Sequence, residues 1–154
     1  MNTDAQAGKG TYLLIVRLDR QTTLQVGKLG EFRFLRGWYA YAGSALGPGG
    51  LKARLARHRR AEKRLHWHID YLLQRATLEA TWQIADPRKL ECAWAAAVQG
   101  LPGARTPVPG FGASDCPCAT HLAFFAQRPA DRQIQAALAG RSPAGAEIRC
   151  APCP

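Results

Sequence analysis

The segment Thr11 to Leu18, TYLLIVRL, constrains the fold more than any other part of the chain. Both of its alternating sets are apolar: Tyr12, Leu14, Val16 and Leu18 on one side, Leu13 and Ile15 on the other. A strand with two apolar faces must be covered on both, which makes it a central strand packed between two layers. With 154 residues, 47% of them hydrophobic, the chain can build one such core and is hardly long enough for two.

The rest of the sequence supplies the covering elements. Residues 19–37 carry turn formers around two short alternating pieces, Leu24 to Val26 and Phe32 to Leu35, the pattern of a β-ribbon. Trp38 to Gly43 reads as a third strand, with Tyr39 and Tyr41 on the side opposite Trp38 and Ala40. The glycine-rich turn 43–50 delivers the chain into a helix near Leu51 whose stripe holds Leu51, Leu55 and His58. Arg54 stands at the edge of that stripe, about 60° from Leu51 at roughly 100° per residue.

Further on, a helix is expected over Leu65 to Arg75, a strand over Thr77 to Ala85, and a helix over 87–99 opened by Asp86-Pro87. A glycine- and proline-rich loop over 100–112, a short strand from His121 to Phe125 and a helix over 131–139 complete the domain. Residues 1–9 read as a loose tail, 10–139 as the domain and 140–154, with three prolines, as a weakly structured tail. The expected class is α+β, a small and mostly antiparallel sheet flanked by helices.

Charge is unevenly placed. Residues 9–75 hold 14 Lys or Arg against 4 Asp or Glu, and the remaining positions hold 7 of each, so the whole net charge of +10 belongs to the N-terminal half. A concentrated positive field attracts a polyanion, and such binding weakens with salt. The densest run is Arg57, Arg59, Arg60, Lys63 and Arg64, which reads as phosphate contacts along DNA or as a solvated helix face. No strand leads into a GxGxxG turn, which argues against a dinucleotide enzyme. No segment approaches the roughly 20 apolar residues of a membrane span, and nothing near Met1 reads as a signal peptide, so a soluble intracellular protein is expected. The five cysteines, Cys92, Cys116, Cys118, Cys150 and Cys153, are odd in number and cannot all pair within the chain, which favours reducing surroundings.

Gly10-Thr11-Tyr12 and Tyr41-Ala42-Gly43 resemble the two signature tripeptides of the GIY-YIG nuclease superfamily, each in a strand context, the second leading to a helix that carries Arg54. Thr11 and Ala42 stand where isoleucine is usual, and the interval between Tyr12 and Tyr41 is longer than usual. The fuller string from Gly37 to Ala45, with Arg54, His58, His66-Trp67-His68-Ile69-Asp70-Tyr71-Leu72, Glu91-Cys92 and Ser114 to Leu122, resembles a less characterised branch of that superfamily. Its members are similar to stand-alone bacterial and archaeal proteins or to domains joined to endonuclease III-type glycosylases. The resemblance spans residues 10–126.

What the resemblance implies is a three-stranded antiparallel sheet and a divalent-metal phosphodiesterase acting on DNA, in repair, in the cytoplasm and around the nucleoid. Tyr12 and Tyr41 match the two tyrosines, Arg54 the helical arginine and Glu91 the glutamate that holds Mg²⁺ or Mn²⁺. Arg54 would bind phosphate, and a tyrosine would orient or deprotonate water. His58, one turn beyond Arg54, is an alternative base or phosphate contact, or else a helix-face histidine. A repair glycosylase is the partner the branch suggests. A non-catalytic basic DNA-binding domain retaining the nuclease fold is the alternative, with a protein-interaction module third.

His66 and Asp70, spaced i,i+4, and His68 beside Tyr71 are read as supporting groups. Ser114, Asp115 and His121 are read as a wall of the site, with His121 its main polar contributor. Cys116 and Cys118 bring thiolates within reach of Zn²⁺ chemistry, and Cys92 would have to close the site from the helix that carries Glu91. The tight Cys-x-Cys spacing departs from a zinc knuckle. The cysteines are therefore read as structural thiols, and structural Zn²⁺ is disfavoured.

Overall fold

The two apolar faces of β1 (Gly10–Leu18) are met by placing it third in a five-stranded sheet. The computed structural model describes residues 8–114 and 116–152. Across the sheet the order is β6 (Leu122–Phe125), β4 (Gly37–Ala45), β1, β5 (Thr77–Ala85) and β7 (Ile148–Pro152), and every neighbouring pair is antiparallel. β2 (Thr22–Val26) and β3 (Gly30–Phe34) form a separate two-stranded ribbon.

Tyr12, Leu14, Val16 and Leu18 pack with Tyr39 and Tyr41 against Leu51 and Leu55 of α1 (Gly50–Arg59), Ile69 and Leu72 of α2 (His68–Leu73), and Val26 and Phe34 of the ribbon. On the other face, Leu13 and Ile15 join Ala40, Ala42 and Trp82 against Trp94 and Val98 of α3 (Glu91–Gln99) and Ile134 and Leu138 of α4 (Asp131–Ala139). The result is an α+β fold with the sheet as its middle layer. No helix among the described residues is long and apolar enough to cross a membrane.

The two tripeptide glycines have steric reasons. β1 pairs with β4 so that Tyr12 faces Gly43, and a Cβ on Gly43 would stand 2.5 Å from the Tyr12 hydroxyl oxygen. A Cβ on Gly10 would meet the Ile84 carbonyl at 2.2 Å and Leu51 at 2.5 Å. Either substitution would push β1 out of register with what covers it.

Four sequence expectations need correction. The sheet has five strands where the resemblance implies three, because β6 and β7 extend both edges of β4-β1-β5. β7 lies in what reads as a weakly structured tail: its backbone pairs with residues 80–84 of β5, and those ladder bonds hold a segment with little apolar content. α3 begins at Glu91 and not at residue 87. Asp86 caps a tight turn instead, its carboxylate accepting the Arg88 backbone N–H at 2.8 Å. α2 begins at His68 and not at Leu65. Asp70, its third residue, accepts the N–H of Trp67 at 2.9 Å and of His66 at 2.8 Å, which fixes the N-terminus there.

Candidate active site

Four elements converge at one end of the sheet on a cleft of about 330 Å³ lined by Tyr12, Tyr41, Ser44, Arg54, Trp67, Lys89 and Glu91. β1 and β4 contribute the tyrosines on the same face, their ring centroids 6.5 Å apart. α1 contributes Arg54, and α3 contributes Glu91 from its first turn, where the helix N-terminus favours a carboxylate.

Glu91 is almost buried, and each of its oxygens is engaged. Ser44 Oγ donates to Oε2 at 2.9 Å, and Lys89 Nζ lies 3.1 Å from Oε1. Arg54 Nη1 donates to the Ser44 carbonyl at 2.8 Å while its guanidinium lies over the Trp67 ring, 4.1 Å from the centroid. Ser44 thus couples the arginine to the carboxylate, backbone on one side and hydroxyl on the other. Stacking, the Ser44 bond and a hydrogen bond to the Tyr12 oxygen fix Arg54 in the cleft wall, and the rest of its five N–H donors can serve a ligand.

Behind Arg54 stands a second layer. Arg57 also lies over Trp67, at 4.3 Å, and donates through Nη1 and Nη2, both at 2.8 Å, to the two oxygens of Asp70. Burial alone would push the Asp70 carboxyl up, but the Arg57 hydrogen bonds and the two backbone N–H bonds override it and hold the carboxyl below its ordinary value. Trp67 is therefore held through its backbone N–H by Asp70 while its ring carries two arginines.

His58 lies behind Tyr12, 3% exposed, with Nε2 2.8 Å from the Tyr12 hydroxyl oxygen. Burial, reinforced by the Lys63 charge, lowers its pKa to about 3, so the ring is neutral at pH 7. His58 Nδ1 has no hydrogen-bond partner among the described residues. An unpaired lone pair costs less than an unpaired N–H, so the favoured tautomer carries its proton on Nε2. In that tautomer His58 donates to the Tyr12 oxygen, which also accepts from the Arg54 guanidinium, so the Tyr12 hydroxyl proton is not spent on His58. Burial pushes the Tyr12 phenol up to about 12 despite the neighbouring Arg54 guanidinium, and it raises Tyr41 well above its ordinary value.

A neutral buried histidine makes stability depend on pH. The unfolded state takes up a proton below about 6.5, the folded state only near 3, so this contribution is complete above pH 6.5 and is lost as pH falls toward 3. The loss expected over that window is about 4 kcal/mol by linkage. Denaturant unfolding at several pH values should show that slope, and His58→Gln should flatten it. An unchanged slope in the variant would show that other groups set the acid limit.

The remaining sequence candidates divide. Arg57 is spent on Asp70 and on the Arg64 carbonyl. Lys63 Nζ donates to the carbonyls of Arg57 and His58 at 3.2 and 3.0 Å and closes the end of α1. These two cations are structural, a correction to the phosphate-contact reading of the run. Arg59 is exposed and reaches Thr81 Oγ1 at 3.5 Å. Arg60 and Arg64 are exposed and line an open basic hollow with Arg57, Lys63 and His66.

His66 precedes α2, so the expected i,i+4 side-chain pair with Asp70 does not form; its backbone N–H makes that bond, and its ring stands against Trp67 at 4.9 Å. His68 Nδ1 accepts the Gly112 N–H at 2.8 Å, which ties the glycine-rich loop to α2. Ser114 is exposed on that loop, and Asp115 lies outside the described residues. His121 is buried away from the cleft, with Nδ1 4.0 Å from Glu91 Oε2 and Nε2 facing Cys92 and Cys116.

Sequence reasoning overlooked Lys89 and gave Trp67 and Ser44 no role. The Lys89–Glu91 pair is hidden because residues 87–99 read as one helix, on which positions two apart do not face each other; the Trp67 platform needs three segments to be seen together.

An arginine on an aromatic platform, two buried phenols, a lysine and one carboxylate thus line one small open cleft. The sequence model of the family described as Domain of unknown function DUF123 matches residues 11–141, and the chain belongs to that family. No curated protein and no solved structure matches the chain.

Proposed function

We propose that the protein is a divalent-cation-dependent endonuclease of the GIY-YIG type that hydrolyses DNA phosphodiester bonds, with a role in repair. The observation that carries this reading is the convergence of Tyr12, Tyr41, Arg54 and Glu91 on one cleft from four separate elements. Arg54 offers the scissile phosphate its free donors, charge-assisted and already oriented by Trp67 and Ser44.

With a phenol near pKa 12, Tyr12 acts as a hydrogen-bond donor that orients the attacking water or a phosphoryl oxygen, not as the base that deprotonates it. His58, as a donor to that oxygen, does not take up the hydroxyl proton. The oxygen donors of the cleft, Glu91 with the Tyr and Ser hydroxyls, fit a hard cation such as Mg²⁺ or Mn²⁺, which is content with one carboxylate when water and phosphate complete its shell. Held by Glu91, such a cation supplies Lewis-acid activation of water and charge neutralisation. Lys89 pairs with Glu91 and adds positive charge beside the position a phosphate would take.

Arg60 and Arg64 extend the positive surface beyond the cleft and supply the contacts that would position DNA. Arg60→Ala/Arg64→Ala should weaken duplex binding and reduce the salt slope by up to about 2, roughly 0.9 per phosphate contact. Fluorescence titration at four salt concentrations measures both, and an unchanged slope would remove these residues from the interface. The second reading, a DNA-binding domain without catalysis, is favoured by the single carboxylate among the described cleft residues. Tight salt-dependent binding with no strand breaks in Mg²⁺ or Mn²⁺ would establish it.

A further inference from the structure

Behind Glu91, on the side away from the cleft, Cys92 of α3 meets Cys116, Cys118 and His121 of the loop that leads into β6. One ligand atom from each of the four lies within 4.8 Å of all the others. His121 Nε2 is 3.6 Å from Cys92 Sγ and 3.3 Å from Cys116 Sγ. A tetrahedral Zn²⁺ with Zn–S of about 2.3 Å and Zn–N of about 2.0–2.1 Å sets sulfur–nitrogen edges of about 3.6 Å. The two sulfur–nitrogen distances of His121 are close to that edge, and with Cys92 and Cys118 in the dithiol state the three sulfurs and the imidazole would complete a four-ligand shell with no position left for substrate.

The geometry points to a structural Zn²⁺ site of Cys92, Cys116, Cys118 and His121 that pins the 100–121 loop to the start of α3. The sequence reading, which set these cysteines down as structural thiols without zinc, had no means of bringing Cys92 to the loop. The backbone supplies the closure: His121 donates its N–H to the Phe111 carbonyl at 2.8 Å and accepts the Ala42 N–H at 3.1 Å, which fixes it beside β4. The other ring nitrogen of His121 lies 4.0 Å from Glu91 Oε2, beyond hydrogen-bond reach but on the side from which a carboxylate can orient a metal-bound imidazole once the two close up. Thiolates select zinc over the hard cations that suit Glu91, so two metals of different chemistry would sit on opposite sides of one carboxylate.

Cys92 and Cys118 are joined as a disulfide, their Cα atoms 6.2 Å apart. Zinc requires the dithiol. A phosphine reductant breaks the S–S bond with two electrons and becomes the phosphine oxide, water supplying its oxygen and the two protons that give two thiols. Zn²⁺ then replaces the thiol protons, which are released to solvent.

The full chain, expressed with zinc and purified with a non-chelating phosphine, should contain one zinc per molecule. Cobalt added to the reduced, metal-free protein should give the visible ligand-field bands of a tetrahedral ion and near-ultraviolet thiolate charge transfer. Cys116→Ser should hold well below one zinc per chain and weaken the charge-transfer band, and Cys150→Ser should leave both unchanged. Because His121→Ala risks misfolding, Cys118→Ser serves as the second ligand variant. Substoichiometric zinc that no ligand variant alters, or reduced protein that gives no tetrahedral cobalt bands, would overturn the site. None of these readouts involves DNA, so loss of the zinc site and loss of the nuclease reading are told apart.

Discussion

Asp70→Ala should destabilise the fold by about 3–5 kcal/mol, the scale of removing one partner from a buried ion pair. The carboxylate is fully buried and accepts four hydrogen bonds, two from Arg57 and one each from the His66 and Trp67 backbones. Truncation leaves two part-buried backbone donors without their acceptor and the Arg57 guanidinium, only 17% exposed, without its counter-charge. Asp70→Asn should lie between, since an amide oxygen still serves a backbone donor but not a bidentate arginine. Urea unfolding above pH 6.5 keeps His58 neutral in both states and isolates the effect. A loss below about 1 kcal/mol, the scale of an exposed ion pair, would show that Asp70 does not hold the Trp67 platform.

Arg54→Ala should lower the turnover rate of DNA cleavage by about 10²–10³-fold, as for loss of one preorganised charge donor at a transition state. Its stability cost should be small by comparison, the loss of hydrogen bonds to the Ser44 carbonyl and the Tyr12 oxygen and of one cation–π contact at a half-buried surface. Arg54→Lys should not rescue, because an ammonium can neither bind phosphate through two parallel bonds nor stack flat on Trp67 while reaching the Ser44 carbonyl. Single-turnover rates beside urea midpoints separate the two effects. A variant that unfolds as readily as Asp70→Ala, or cleaves like the native chain, would remove Arg54 from the catalytic role.

The sheet was readable wherever periodicity alone decides. β1, β5 and α4 sit where the pattern of Leu, Ile, Val and Trp puts them, and Tyr12, Tyr41 and Arg54, set together by the family resemblance, line one cleft. The errors arise where a single polar side chain chooses between two local jobs. Asp86 serves a turn instead of a helix cap, and Asp70 starts α2 three residues later than its leucines suggest. Composition also hid the pairing of β7, since an edge strand built on backbone bonds leaves little apolar signature.

The basic run shows a further limit. Sequence gives Arg57, Arg59, Arg60, Lys63 and Arg64 one common character, yet Asp70 lies 13 residues from Arg57 and converts it to a structural cation. Lys63 is similarly spent on the carbonyls that end α1. The Cys-His cluster is hidden for the same reason: Cys92 and Cys118 are 26 residues apart in sequence, and only the packing of α3 against the loop unites them.

The most direct measurement of the central claim is strand cleavage of nicked, flapped, abasic and plain duplex DNA by the native chain and Glu91→Gln, with Mg²⁺, Mn²⁺ or chelator present. The glutamine keeps an acceptor for Ser44 and loses the charge that would hold the cation. The account predicts cation-dependent breaks by the native chain on at least one of these forms and loss of them in Glu91→Gln. Breaks that persist in chelator, or that the two proteins make equally, would contradict it, as would salt-dependent binding by the native chain with no breaks on any form.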